Sequence, residues 1–111
     1  MSVSDQIMKG LLDGAILALI AEGETYGYQI TEKLKEKQFP DISEGSIYPV
    51  LLRLSKKGYV LTRMVKSETG GPKRKYYSIS DKGKEELDIF RDKWAKLNHG
   101  MSNLLGGGKN A

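Results

Sequence analysis

The spacing of the apolar residues changes once along the chain, near Gly58, and no other sequence feature constrains the fold as strongly. Before Gly58, apolar residues recur every three or four positions in three segments, at about 4–22, 25–37 and 43–57. This is the spacing of amphipathic helices, and glycine or proline residues separate the segments. The first half of the chain is therefore predicted to form three helices.

After Gly58 the pattern becomes typical of β-structure. Two runs, 59–66 and 73–80, are rich in β-branched and aromatic residues and alternate in part between apolar and polar positions. Between them lies a turn-forming cluster that contains Gly70, Gly71 and Pro72. Two such runs joined by a glycine-rich turn predict a β-hairpin.

The predicted helices carry their own end signals and buried faces. Thr25 is the expected N-cap of the second helix, and Ser43 and Ser46 are the two candidates for the third, because each is a hydroxyl residue just before an apolar repeat. The residues expected to be buried are Tyr28, Ile30 and Leu34 in the second helix, and Ile47, Val50, Leu51 and Leu54 in the third. The first helix is apolar on more than one side, so we expect a partner chain or a later element of this chain to cover its second side.

Three helices followed by a hairpin is the element order of a winged helix-turn-helix, in which the third helix enters the major groove of DNA and the hairpin is the wing. The predicted fold is thus α+β, mostly helical, with a long additional helix at the C-terminal end. We expect a DNA-binding domain over 1–80, a dimerisation helix over 81–105 and a flexible tail over 106–111.

The positive charge is concentrated in one part of the sequence. Lys and Arg number 18 against 14 Asp and Glu, and eight of the cations lie between Arg53 and Lys75, opposed there only by Glu68. That stretch carries a net charge of +7, so the remainder of the chain carries −3. A basic segment on an otherwise acidic domain predicts a polyanionic partner such as double-stranded DNA, although a solvated face without a partner is the alternative.

Composition excludes several other classes. The chain has no cysteine, which excludes a disulfide framework, a thiolate metal site and a cysteine nucleophile. Its longest apolar run, 15–21, is seven residues, far short of the roughly 20 that cross a bilayer. The single histidine, His99, lies in no catalytic or metal-ligand spacing. We expect a cytoplasmic protein that is not an enzyme, needs no cofactor or metal, and does not associate with membranes.

The candidate DNA contacts lie on the third helix and the wing. They are Ser43, Ser46, Tyr48, Arg53, Lys73, Arg74 and Lys75. Hydroxyls at a helix start and cations on a wing suit phosphate contacts, and the glycine pair in the wing turn permits close approach to a groove. For Ser43 a simple capping role is the alternative, and Arg53 could instead pair with an acidic residue of the first two helices.

The last predicted helix, from residue 81 to about 104, carries a narrow apolar seam. Its members recur at spacings of 3, 4, 3, 4 and 3: Leu87, Phe90, Trp94, Leu97, Met101 and Leu104. This is a heptad pattern, which requires a second surface to bury it. That surface is either a partner chain or the helix's own domain.

Three motifs resemble the PadR family of bacterial transcriptional regulators. They are the sequences at 26–30 (YGYQI), 45–54 (GSIYPVLLRL) and 71–77 (GPKRKYY). The resemblance implies a DNA-binding regulator, most often a repressor, with Tyr48 as a DNA contact and a pseudo-palindromic operator. It also implies a twofold homodimer, in which the last helix packs on the partner's first helix and on its own counterpart. The interface residues would then be Leu12, Ile16, Leu87, Leu97, Met101 and Leu104.

The single C-terminal helix resembles a smaller subgroup of this family, which includes a multidrug-binding repressor. The resemblance implies that Trp94 could stack on planar hydrophobic small molecules at the dimer interface, with Phe90, Asp88 and Asp92 nearby. Two other functions remain open at this stage. The winged helix could be a protein–protein interaction module, or the dimer could bind drugs and have little affinity for DNA.

Overall fold

The structure, a computed structural model of the chain, describes residues 3–106, with side chains from residue 9 onward. Within these residues the chain forms four helices and three strands. The helices are α1 (Val3–Ala21), α2 (Gly27–Glu36), α3 (Glu44–Lys56) and α4 (Asp81–Leu105), and the strands are β1 (Thr25–Tyr26), β2 (Val60–Val65) and β3 (Arg74–Ile79). The predicted order of three helices, a hairpin and a long helix is confirmed. Of the predicted tail, 107–111 lies outside the described residues.

The strands form one antiparallel sheet in the order β1-β3-β2, and β1 was not predicted. Thr25 pairs with Tyr77, and Tyr26 pairs with Tyr76. The prediction that Thr25 caps α2 is therefore wrong: Thr25 is strand backbone, and Tyr26, with φ −134° and ψ 167°, occupies the N-cap position. The Thr25 hydroxyl instead donates to Oε1 of Gln29 at 2.5 Å.

The placement of Tyr28 in the buried face of α2 is also wrong. Tyr28 is 56% exposed, while Ile30 and Leu34 are buried as predicted and Thr31 is buried with them. Two helical residues two positions apart point about 200° away from each other, so Tyr28 cannot share a face with Ile30. Thr31 is tolerated in the core because its hydroxyl donates to the carbonyl oxygen of Gly27 at 3.0 Å.

Helix α3 begins and packs as the sequence predicts. Ser43 is its N-cap, and the Ser43 amide donates to Oγ of Ser46 at 3.1 Å, which satisfies a backbone donor at the helix start. The predicted stripe is buried throughout: Ile47, Val50, Leu51 and Leu54. Because that stripe faces the core, the opposite side of α3 faces away from the domain.

The described part of helix α1 lies at the centre of the core, where Leu12, Ile16, Leu17, Leu19 and Ile20 are buried, while Leu11, Ala15 and Ala18 stay partly exposed. It contacts α2, α3, α4 and β3. Leu12 and Ile16 of α1 and Leu87 of α4 are at most 7% exposed within the single chain, so they have no surface to offer a partner. This corrects the prediction that these three residues form a dimer interface.

The first part of α4 packs on the domain and the rest projects from it. The molecule measures 53 × 29 × 27 Å along its principal axes. Leu87 is buried against the core, whereas residues 91–99 are exposed without exception. The apolar seam therefore changes its surroundings along the helix: its start belongs to the domain, and its end, from Trp94 onward, faces solvent.

Candidate nucleic-acid interface

The wing and the start of α3 line one open cleft with a volume of about 870 Å³. Tyr48 of α3 lines it from one side, and Lys73, Arg74 and Lys75 line it from the wing, together with Gly71 and Pro72 of the turn. Five tyrosines in all contribute to its walls: Tyr26, Tyr28, Tyr48, Tyr76 and Tyr77. The structure thus brings Tyr48 and the three predicted contact cations of the wing together in the lining of one cleft.

The position of Tyr48 depends on a glycine in the neighbouring helix. A Cβ atom at Gly27 would lie 2.8 Å from the Tyr48 hydroxyl oxygen and 2.9 Å from its ring, so only glycine leaves room for this rotamer. The Tyr48 side chain is half exposed. Behind it lies buried Tyr77, whose pKa is raised by burial and, to a smaller extent, by Tyr48. Tyr48 is therefore held by packing with its face turned to the cleft.

The three successive cations of the wing are divided between its two faces, because side chains alternate along a strand. Arg74 lies on the same face as Tyr76, and its guanidinium carbon lies 4.2 Å from the centroid of the Tyr26 ring. Tyr26 in turn packs against Tyr76, with ring centroids 5.1 Å apart. This cation–π contact fixes Arg74 on β1. Lys75 is on the opposite face, which is also that of Tyr77.

Two of the eight cations in the basic stretch are neutralised within the chain. Arg63 of β2 donates to both carboxylate oxygens of Glu24, at 2.6 Å each, and this lowers the pKa of Glu24. Arg53 forms a bidentate pair with Asp13 of α1, in which Nε donates to Oδ2 at 3.1 Å. Among the described side chains, the cations of the stretch without such a pair are Lys56, Lys57, Lys66, Lys73, Arg74 and Lys75.

The pair with Asp13 changes the interpretation of Arg53. The hydrogen bonds that the Arg53 guanidinium donates to Asp13 raise the pKa of Arg53, and the guanidinium is directed toward α1 and does not line the cleft. The alternative that Arg53 pairs with an acidic residue of the first two helices is what the structure contains. Ser43 and Ser46 do not line the cleft either. The Ser46 hydroxyl donates to the carbonyl oxygen of Ser43 at 2.7 Å and accepts from the Ser43 amide at 3.1 Å, so both residues take part in the start of α3.

Several residues of the cleft were not among the predicted contacts. Tyr28 and Lys66 line it directly, and Tyr26 supports Arg74 from below. A signal for Tyr28 existed in the sequence, because its position does not fit the buried stripe of α2. No comparable signal existed for Tyr26, since its role depends on pairing with a strand some 50 positions later.

The residues predicted to bind an effector lie between positions 88 and 94 of α4, where the helix leaves the domain. Phe90 is committed to the α1–α4 contact: a Cβ atom at Gly14 would overlap its ring. Trp94 is 47% exposed. Asp88 pairs with Arg91 at 3.6 Å and Asp92 with Lys96 at 3.2 Å along the helix surface. The cleft beside the wing is not lined by any of these four predicted residues.

A winged helix whose wing and third helix share one cationic and aromatic surface defines a class of DNA-binding regulators. The transcriptional regulator PadR-like family matches residues 16–89, and the chain belongs to that family. The family assignment made from the three motifs is confirmed, and so are the fold class and the expectation that the chain is not an enzyme, since this is a family of transcription regulators. None of the described helices is long and apolar enough to cross a membrane.

Individual relatives agree with this assignment. The crystal structure of a PadR-like transcriptional regulator from Bacillus cereus has 45% sequence identity and a TM-score of 0.79, and the match covers 90% of this chain and 96% of that one. The negative transcriptional regulator PadR of Bacillus subtilis is 39% identical over 79 residues, or 69% of this chain and 43% of that protein. Its crystal structure in complex with operator DNA has 36% identity and a TM-score of 0.67, covering 75% of this chain and 47% of that one.

Proposed function

We propose that this chain is a homodimeric repressor that binds a pseudo-palindromic operator in double-stranded DNA, with α3 in the major groove and the β2–β3 wing on the backbone. The observation that carries the proposal is the single surface formed by Tyr48 and the wing cations. The relative from Bacillus subtilis supports it, as that protein is a negative regulator whose structure contains operator DNA. A protein that acts on bacterial operators works in the cytoplasm.

The electrostatics of the surface are suited to phosphate. Lys66, Lys73 and Lys75 line the cleft as exposed cations, and Lys56 and Lys57 extend the charge at the C-terminal end of α3. If four to six of the unpaired cations of the basic stretch, which include Arg74, contact phosphate in each subunit, log affinity should fall with log salt at about 0.9 per contact. Half-sites in the operator should lie about one helical turn, or a multiple of it, apart.

A salt titration of duplex binding tests this proposal. Electrophoretic shifts are recorded with a duplex from the region upstream of the chain's own gene and with an unrelated duplex of equal length, from 50 to 300 mM salt, alongside a light-scattering mass. The proposal expects a dimer, a steep salt dependence on both duplexes and tighter binding to the first. Binding that is independent of salt, or an absence of binding at 50 mM, would contradict it and favour a module that binds proteins or only small molecules.

The exposed end of α4 supports the dimer, with residues 81–105 as the dimerisation helix. Trp94, Leu97, Met101 and Leu104 continue the heptad seam beyond the domain and are all exposed. A leucine transferred from water to an apolar interface contributes about 1.5–3 kcal/mol, so a seam of this kind favours self-association. The geometry of a projecting helix is suited to packing on the same helix of a second copy.

Leu97→Lys is expected to weaken the dimer by about a hundredfold or more, because two leucines leave the interface and two ammonium groups replace them. Light scattering over a range of micromolar concentrations measures the change. Asn103→Lys is the matched control, since it adds the same charge on the opposite side of the same helix. Equal effects of the two substitutions would mean that the seam is not the interface.

The same interface is our proposed site for planar aromatic effectors, with Trp94 as the stacking group. Trp94→Ala is expected to lower the affinity for a planar cationic dye such as proflavine about three- to tenfold in the absence of DNA, because aromatic stacking contributes about 0.5–1.5 kcal/mol. Dye anisotropy measures the affinity, and Ile89→Ala is the control because Ile89 is similarly exposed on another side of α4. Unchanged dye affinity in Trp94→Ala would exclude Trp94 from the site.

A further inference from the structure

The outward side of α3 carries a stripe with very little hydrogen-bonding capacity. The residues opposite its buried stripe recur at spacings of 4, 3 and 4: Gly45, Pro49, Leu52 and Lys56. All four are exposed, and Leu52, in the second half of the helix, is 58% exposed. Gly45 and Pro49 offer no polar side-chain atom, so the only polar side chain of the stripe is Lys56, at the end of the helix.

An exposed leucine at this position does not belong to the core of the described structure. The core of α3 is complete without it, since its buried residues lie on the other side of the helix. Leu52 instead lies between the tyrosine-lined cleft at the start of α3 and the cations Lys56 and Lys57 at its end. The cations around Leu52 form a surface that attracts a polyanion. An apolar protein partner is disfavoured because it would have to desolvate these charges.

The major groove of DNA offers one apolar group to such a side chain. Each base pair presents hydrogen-bond donors and acceptors there, and thymine adds its C5 methyl group. With α3 in the groove, Gly45 permits close approach of the helix start and Leu52 faces the base edges. A leucine cannot discriminate among donors and acceptors, but it gains from burial against a methyl group.

We propose that Leu52 is a specificity-determining residue that contacts the methyl group of a thymine in each operator half-site. The inference rests on the proposed DNA-binding function and adds the chemistry by which the centre of α3 selects sequence. Tyr48 and the wing position the protein on the backbone, and the preference for thymine at one position of each half-site comes from an apolar contact.

The test removes the methyl group alone. Duplexes are enriched from a random pool with the wild-type chain, and each thymine of the enriched half-site is then replaced symmetrically by 2′-deoxyuridine. At one position the wild-type chain is expected to lose about fourfold in affinity per half-site, the equivalent of one methyl group taken out of an apolar contact. Leu52→Ala is expected to lose most of this sensitivity, which is the signature of a direct contact in a double-mutant cycle.

Ile89→Ala is the matched control, because Ile89 is an apolar residue of similar exposure, 49%, that lies on α4 and outside the proposed DNA surface. It is expected to retain the full sensitivity to deoxyuridine. If no thymine shows a methyl effect, or if Leu52→Ala shows the same effect as the wild-type chain, the inference is wrong while DNA binding stands. If no duplex is enriched from the pool, the proposed function itself fails, and the inference with it.

Discussion

Replacing Lys73 and Lys75 together by alanine is expected to lower the affinity for duplex DNA by about three orders of magnitude near 0.1 M salt. Two phosphate contacts are lost in each subunit of a dimer, and four released counterions account for a change of about 3.6 in the slope of log affinity against log salt. Both cations line the cleft, and neither has an acidic partner among the described side chains. The slope is measured by electrophoretic shift or anisotropy between 50 and 300 mM salt.

The control variant removes the same number of positive charges from another part of the surface. Lys35 and Lys37 lie at the C-terminal end of α2, away from the residues that line the cleft. Their double alanine variant should keep the slope and lose affinity only through the weaker long-range field. Equal losses in both double variants would show that net charge, and not the wing, determines the affinity.

Arg74 is left out of this pair for a structural reason. Its guanidinium packs over the ring of Tyr26, so an alanine there would remove a packing contact between β1 and β3 as well as a charge. A loss of affinity in Arg74→Ala would then have two causes. Lys73 and Lys75 have no such contact with an aromatic ring in the described structure, and their replacement changes the charge alone.

The fold was predictable because each long element carries its own periodic signal. The four helices and both strands of the wing follow local patterns of three to four or of two residues, and they begin and end within a few residues of the predicted positions. Strand β1 has no such signal. Two residues cannot establish a period, and their extended conformation comes from pairing with Tyr76 and Tyr77 of β3.

The errors in the predicted dimer interface have a similar origin. The heptad seam of α4 is continuous in the sequence, but Leu87 faces the chain's own core and Leu97 faces solvent. Spacing shows that a stripe must be covered, and it does not show where the helix leaves the domain. Only the tertiary arrangement, in which the start of α4 packs against α1, divides the seam into an internal and an external part.

The location of the positive charge in the candidate site was predictable from the sequence, whereas the ion pairs that neutralise two of its arginines were not. The concentration of cations from residue 53 to 75 correctly marked the wing, because a count of charges needs no contacts. Arg53 and Arg63 find their acidic partners 40 and 39 positions away, at Asp13 and Glu24. Such pairs depend on how α1 and β1 pack against later elements, so residue type alone cannot separate a paired arginine from one that is free to contact DNA.

The start of α4 offers a sharp test of the fold itself. A Cβ atom at Gly83 would overlap the carbonyl oxygen of Tyr59 and lie 2.8 Å from a side-chain carbon of Ile79. That carbonyl cannot easily move, because it accepts from the amide of Ser80 at 3.0 Å. Ser80 is itself fixed: its hydroxyl donates to the carbonyl of Gly58 at 2.6 Å and accepts from the amide of Gly83 at 3.0 Å.

Gly83→Ala is therefore expected to destabilise the chain by about 3 kcal/mol, as overpacking against fixed backbone does, although alanine normally favours a helix over glycine. Gly100→Ala in the same helix should instead stabilise it by up to about 1 kcal/mol, because nothing lies within 4 Å of the added methyl group. Urea unfolding at one fixed protein concentration measures both, since dimer formation also contributes to stability. The essential result is that the two substitutions change the free energy of unfolding in opposite directions. If both variants gain stability, α4 does not begin against the turn between α3 and β2, and the wing is not anchored as described.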